Sequence, residues 1–214
     1  MKSLHLRAGR DKSVKRRHPW IFSGAIERVD GEPANGETVL VKSSAGQPIA
    51  VAAWSPQSQI RARVWSFDAG ARIEKDFFSA TIGKAIRLRA SLPAFHHSNA
   101  LRLVHGESDG LPGLIVDRYA DVLVAQFLSA GAEFWREAIL DALAAETGCE
   151  AIYERSDAEV RVLEGLEPRT GFARGNRHAK RCPIAEHGLS FRVDVEAGQK
   201  TGFFLDQRDN RQRI

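Results

Sequence analysis

Hydrophobic spacing changes period near Asp68-Ala69-Gly70-Ala71, and the change divides the chain into a strand-rich unit and a unit with long helices. Before that point, Thr38-Val39-Leu40-Val41, Ile49-Ala50-Val51-Ala52-Ala53-Trp54 and Ile60-Arg61-Ala62-Arg63-Val64-Trp65 read as strands separated by turn-rich segments. In the last of these, Ile60, Ala62 and Val64 point one way and Arg61, Arg63 and Trp65 the other. Leu4-His5-Leu6 adds a short strand. Lys12 to Arg28 carries Trp20, Ile21, Phe22, Ala25 and Ile26 as expected buried anchors around Pro19 and Gly24. A small barrel with one helix and a basic strand face is the economical reading.

After the break, Phe77, Phe78, Ile82, Ala85, Ile86 and Leu88 recur at helical spacing over Asp76 to Leu92, a helix that must stop before Pro93. Leu101 to Val104 and Leu114 to Tyr119 are two strands flanking an elaborate turn, in which Asp109 accepts backbone bonds and Gly110 takes a positive φ. Val122 to Leu128 follows as a strand. Ala132 to Glu146 reads as a helix buried through Phe134, Trp135, Ile139, Leu140, Leu143 and Ala144 and ended by Gly148. Ala151 to Glu154 is a further strand, and Asp157 can cap a short helix over Ala158 to Leu163. Glu167 to Arg181 looks like an exposed loop. A hairpin then turns at His187-Gly188. The order strand, strand, helix, strand, strand makes this an α+β unit.

Charge is unevenly placed. Lys2, Arg7, Arg10, Lys12, Lys15, Arg16 and Arg17 crowd the start of the chain, opposed only by Asp11, although the formal net charge is only +4. Such a local field favours a polyanion, RNA or DNA first; a solvated basic face is the alternative. His18, Arg61 and Arg63 join Lys12, Lys15, Arg16 and Arg17 as candidate phosphate contacts. Trp20 lies in an apolar run, which favours a core position over a base-stacking platform. A hydrophobic content of 43% fits a globular chain able to bury a core.

Other chemistries find little support. Cys149 and Cys182 form no C-x-x-C pattern, so neither a disulfide framework nor a zinc site is suggested, and a reducing cytoplasm fits. His96, His97 and His105, with Glu107 and Asp109 nearby, lack helical ligand spacing and read as structural or surface groups, so no metal is expected. No apolar run approaches membrane-spanning length, and the first residues lack the apolar centre of a signal peptide.

The stretch Gly198-Gln199-Lys200-Thr201-Gly202-Phe203-Phe204-Leu205-Asp206-Gln207-Arg208-Asp209-Asn210-Arg211 combines turn glycines, a Lys-Thr pair, aromatics and a dense polar run. It is not a phosphate-binding loop, because Gln199 stands where that motif requires glycine, and no G-x-G-x-x-G occurs anywhere.

With Arg17-His18-Pro19-Trp20-Ile21-Phe22-Ser23-Gly24-Ala25-Ile26 and Gly106-Glu107-Ser108-Asp109-Gly110-Leu111-Pro112-Gly113-Leu114-Ile115-Val116-Asp117-Arg118-Tyr119, this stretch completes three motifs in fixed order. The chain resembles the amino-terminal portion of the bacterial large-subunit ribosomal-RNA cytosine-5 methyltransferases. The resemblance implies S-adenosylmethionine as cofactor and ribosomal RNA as partner. It also implies a PUA-like RNA-binding pseudo-barrel at residues 1–72, a central α+β domain at 73–186 and the start of a Rossmann-like methyltransferase domain at 187–214, most of that domain being truncated away. In that family a cysteine attacks the cytosine ring; neither Cys149 nor Cys182 sits in a matching motif, so no catalytic residue is assigned here.

Lys200, Thr201, Gly202, Phe203, Asp206, Gln207, Arg208 and Arg211 are then expected beside a cofactor pocket whose other walls are missing. Phe203, Phe204 and Leu205 are accordingly expected to be partly exposed or disordered. On this reading the chain is the RNA-recognition half of a methyltransferase, inactive alone. A stand-alone RNA-binding module or ribosome-assembly factor is the alternative, and a homo-oligomer is compatible with the residues.

Overall fold

In the computed structural model, residues 2–175 and 181–213 are described. The first unit is built from β1 (Ser3–Leu6), α1 (Lys12–Lys15), β2 (Trp20–Phe22), β3 (Ile26–Asp30), β4 (Thr38–Lys42), β5 (Pro48–Trp54) and β6 (Ile60–Ser66). Its strands form one sheet in the order β2-β6-β5-β4-β1-β3, antiparallel except for the β1–β4 pair. Leu4, Leu6, Val39, Val41, Ala50, Ala52, Ala62 and Val64 fill the interior, closed by Val14 from α1 and Ile21 from β2.

The second unit follows as α2 (Lys75–Ala90), β7 (Ala100–His105), β8 (Leu114–Tyr119), β9 (Val122–Phe127), α3 (Ala130–Phe134), α4 (Arg136–Thr147), β10 (Ala151–Ser156), α5 (Val160–Leu163) and β11 (Arg169–Arg174). The hairpin β12 (Arg181–Glu186) and β13 (Leu189–Asp194), then the short helix α6 (Arg208–Gln212), complete the described chain. β7 to β11 make a five-stranded sheet in the order β11-β10-β9-β8-β7. Only β9 and β10 run parallel, which requires a crossover, and α3 and α4 supply it. Ser129 starts the crossover by accepting from the Ala132 amide, and Gly148 ends it at φ +67°.

This corrects the expected strand, strand, helix, strand, strand order: three strands precede the crossover, and two follow it. The second of those, β11, lies in the segment expected to be a loop. Its Arg-Thr-Gly-Phe-Ala-Arg sequence has no clean alternation because it is a polar edge strand with no neighbour on its outer side among the described residues. Residues 176–180 of the expected loop lie outside the described residues. Asp157 caps no helix, since α5 begins at Val160 without a side-chain cap. The expected boundary at 186/187 falls in the turn of the β12–β13 hairpin.

The sheet is buried on both faces. Leu123, Ala125 and Phe127 face α2 and α4 in one core, whereas Val122 and Val124 face Cys182, Ile184 and Val193 of the hairpin in another. The first core extends across the unit boundary, because Val51 and Ala53 of β5 and Trp65 of β6 belong to it. The unalternating apolar run of β5 therefore reflects burial on two sides. Glycines permit the close approach: a Cβ on Gly36 would lie 2.2 Å from the Ala130 carbonyl oxygen, and one on Gly131 would lie 2.3 Å from the Ala53 Cβ. Among the described residues, no helix is long and apolar enough to cross a membrane.

Candidate functional site

The stretch after β13 folds back onto the five-stranded sheet. The Asp194 carboxylate opens the turn by accepting from the amides of Glu196 and Ala197, contacts that hold its pKa below the usual carboxylate value. Gly202 sits at φ +137°, a conformation closed to side-chain-bearing residues, and lets the chain drop onto Val193. Thr201 is then 1% exposed.

A directional hydrogen-bond chain fixes Thr201. Its hydroxyl donates to Asp117 Oδ2 and so must accept from the Tyr119 hydroxyl, 2.8 Å away. Arg102 closes the chain with a bidentate contact to Asp117 at 2.8 and 2.9 Å. Burial first, and the Asp117 charge second, push the Tyr119 phenol well above its ordinary value, so it stays protonated and able to donate. The Asp117 hydrogen bond is the main cause of a raised Arg102 pKa.

Arg211 acts as a second clasp. Its guanidinium contacts both carboxylate oxygens of buried Glu186 at 2.8 Å, donates to the Phe204 carbonyl at 2.7 Å and lies 4.3 Å from the Phe203 ring centroid. Phe203 and Leu205 pack against the hairpin core. The expectation that these residues would lack a packing surface is corrected, since β12, β13 and the sheet provide one, but they stay partly exposed as expected: Phe203 and Leu205 are half-buried, and Phe204 is 39% exposed.

Between this stretch and the β7 edge lies a cavity of about 610 Å³, lined in part by Phe95, Arg102, His105, Lys200, Phe203 and Asp206. Lys200, at φ +56°, places its ammonium 3.2 Å from Asp206, whose pKa it holds down, and 4.6 Å from the Phe204 centroid. Arg208 also lines the cavity, stacks 4.8 Å from the Phe95 centroid, and has a buried Nε without a hydrogen-bond partner. Gln207 remains exposed and accepts from Asn210 at 2.7 Å. Of the eight residues singled out in sequence, Thr201, Gly202 and Arg211 secure the stretch, while Lys200, Phe203, Asp206 and Arg208 line the cavity. Phe95, Arg102 and His105 were missed; Arg102, a charged residue between Leu101 and Leu103, was the available signal.

The basic residues form a second feature. Lys12, Lys15, Arg16, Arg17 and His18 are exposed on and just after α1. Lys15 pairs with Asp11 at 2.6 Å and lowers that carboxyl's pKa. Arg17 adopts φ +64° with its guanidinium 6.0 Å from the Phe67 ring. Arg61 is half-buried. Arg63 is displaced from the expected basic face: it is 8% exposed and pairs with Glu164 at 2.7 Å, because the outer face of β6 docks on the second unit. The expected anchors at Trp20 and Phe22 are likewise corrected, being 36% and 49% exposed, while Ile21 between them is buried. Trp20 Nε1 donates to Glu107 at 2.7 Å across the unit boundary. Among the described residues no three His, Cys, Asp or Glu side chains are grouped to hold a metal ion; Asp109 instead binds Arg89 through both oxygens.

Residues 4–67 match the family model of the PUA-like domain. The chain is 49% identical over 211 residues to ribosomal RNA large subunit methyltransferase I of Aliivibrio fischeri, and 50% identical over 211 residues to the protein of that name from Aeromonas salmonicida. Each alignment covers 99% of this chain and 53% of the relative, so the chain spans about half the length of the curated relatives it matches. A solved structure described as a SAM-dependent methyltransferase from Streptococcus mutans matches 100% of this chain and 54% of its own, with 21% identity and a TM-score of 0.79. Another methyltransferase, solved in complex with SAH, matches 100% of this chain and 53% of its own, with 21% identity and a TM-score of 0.81.

These matches overturn two expectations. The expected fold, in which residues 187–214 alone belong with a methyltransferase domain, is corrected: solved structures described as methyltransferases match all of this chain, over 54% and 53% of their own lengths. The expected division into an inactive recognition half, and its alternative of a free-standing binding module, are corrected by relatives named as methyltransferases that align along 99% of the chain and 53% of their own length. The relatives' name specifies large-subunit ribosomal RNA and is silent on base and ring atom. Along nearly its whole length the chain is thus similar to about half of a ribosomal RNA large subunit methyltransferase I, and its residues 4–67 carry the match to a PUA-like domain.

Proposed function

We propose that the chain acts in S-adenosylmethionine-dependent methylation of large-subunit ribosomal RNA, with C5 of a cytosine as the acceptor. The observation that carries this reading is the 49% identity, over 99% of the chain, to a protein named ribosomal RNA large subunit methyltransferase I. Cytosine C5 rests on the resemblance of the three motifs.

The cavity beside the C-terminal stretch has the donor set for the cofactor. Phe95 and Phe203 offer aromatic surface for a purine, Asp206 and Asp209 offer anions for an amine, and Arg102, Lys200 and Arg208 offer cations for a carboxylate. The cofactor, when bound, supplies an electrophilic methyl group on a sulfonium. Thr201, Gly202, Gln207 and Arg211 border that region, and the Thr201 and Arg211 clasps hold the wall in place. Lys12, Lys15, Arg16, Arg17, His18 and Arg61 would contact the RNA backbone, making residues 1–72 the gripping unit. A ribosomal RNA substrate places this activity in the cytoplasm.

The test is methyl transfer by the full-length protein from radiolabelled S-adenosylmethionine to protein-free large-subunit ribosomal RNA. Label recovered as 5-methylcytosine is the expected result. No label would overturn the reading, and label on another base would overturn the cytosine assignment.

A further inference from the structure

β2 is an edge strand, and its alternation sends Ile21 into the barrel while Trp20 and Phe22 share the opposite face. Their ring centroids are 6.3 Å apart and their planes meet at 82°, so the two exposed rings form a corner. A cleft of about 230 Å³ opens beside them, lined by Arg10, Ser13, Val14 and Gly24 as well as the two rings. Water-exposed aromatics are costly to retain unless something covers them.

The corner is also held rigidly. The Trp20 amide donates to His18 Nδ1 at 3.2 Å, its indole N–H donates to Glu107 at 2.7 Å, and the Arg63 guanidinium lies 5.8 Å from its ring. Ring orientation is therefore set before any ligand arrives, which reduces the entropy lost on binding. Packing alone gives no reason to orient an indole through its polar edge and leave over a third of the residue in water.

Charge selects the ligand. Arg10 lines this cleft, Lys12 and Arg16 are exposed on and just after the neighbouring helix α1, and none of the three has a carboxylate partner in any ion pair among the described residues. Unpaired cations around paired aromatic rings suit a single-stranded polyanion whose planar bases can stack.

We propose that Trp20 and Phe22 form a stacking site for one unpaired base of an RNA strand, with Arg10, Lys12 and Arg16 on its flanking phosphates. The proposal deepens the reading of an RNA ligand given above and rests on it for the identity of that strand. It names a base-recognition element on the first unit, remote in sequence from the cavity-lining residues 200–209.

Direct binding provides the test, using the full-length protein, a short single-stranded oligoribonucleotide and a set of its single-abasic versions, read by fluorescence anisotropy. Trp20→Ala should weaken binding on the order of tenfold, and Trp20→Phe, which keeps a stacking ring but loses the Glu107 contact, should retain most affinity. Removing one base should weaken wild-type binding comparably and leave Trp20→Ala nearly indifferent to that same removal. Phe22→Ala provides a second, independent loss, with thermal melts verifying folding.

If Trp20→Ala and Phe22→Ala both bind like wild type while Lys12→Glu weakens binding, the face works by charge alone and the proposal falls. If Trp20→Phe loses as much as Trp20→Ala, the Glu107 bond and not stacking is responsible, and the proposal falls again. The assay needs no methyl transfer, so failure of the proposed catalytic activity is read separately from failure of the stacking site.

Discussion

Two populations of cations occupy this molecule, and they differ in their partners more than in their residue types. Around α1, Arg10, Lys12 and Arg16 face water without a carboxylate in any ion pair among the described residues. In and against the second unit, Arg63, Arg102, Arg136 and Arg211 each meet a carboxylate that is at most 2% exposed. The first group resembles a surface awaiting an anion; the second supplies its own. A count of basic residues merges the two, because a partner can lie far along the chain, as Glu164 lies 101 residues from Arg63.

The sharpest way to break this contrast is to remove an internal anion. Glu164 accepts from Arg63 and from the Ala130 amide, so Glu164→Ala should leave a buried guanidinium unpaired and lower stability by about 3–5 kcal/mol in urea unfolding. Asp117→Asn should cost less, about 2–3 kcal/mol, because Arg102 is 35% exposed and water can replace part of what it loses. Gly131→Ala should cost about 1–3 kcal/mol by forcing β5 and α3 apart at the Ala53 contact, read from the same unfolding curves.

A subtler test uses pH. The Tyr119 pKa is raised on folding, so the folded state holds that proton more tightly than the unfolded chain does. Its contribution is fully present below the ordinary phenol value of 10.0 and is lost as pH rises beyond it. Tyr119→Phe should therefore be less stable than wild type at pH 8 but lose less further stability between pH 8 and pH 11, measured by urea midpoint. Lys12→Glu and Arg16→Glu should have the smallest effect on folding, within about 0.5 kcal/mol, while weakening RNA binding and flattening its salt dependence. Equal stability losses in the α1 and Glu164 variants would erase the distinction between the two populations.

Much of the architecture was legible because strands and helices announce themselves locally. The period-two run at Ile60 to Trp65, the apolar spacing over Phe77 to Ile86 and the Gly148 terminus all specify structure within a few residues. β11 was illegible because an exposed edge strand needs no apolar alternation. Alternation showed which residues share a face of β6 but not that both faces would be covered, so Arg63 was assigned to solvent. Trp20 failed in the opposite sense: an apolar run suggested the core, whereas β2 buries only its Ile21 face and leaves the face carrying Trp20 and Phe22 to solvent. At the candidate site, the importance of Thr201 was legible in its motif. Its partners Asp117 and Tyr119, 84 and 82 residues away, were not.

The glycine contacts at the unit boundary have a metrical consequence. With Gly36 against the Ala130 carbonyl and Gly131 against the Ala53 methyl group, the two units meet where no larger side chain fits. Any side chain added at either glycine must push the two units apart along this seam, so the smallest residues set how closely they sit.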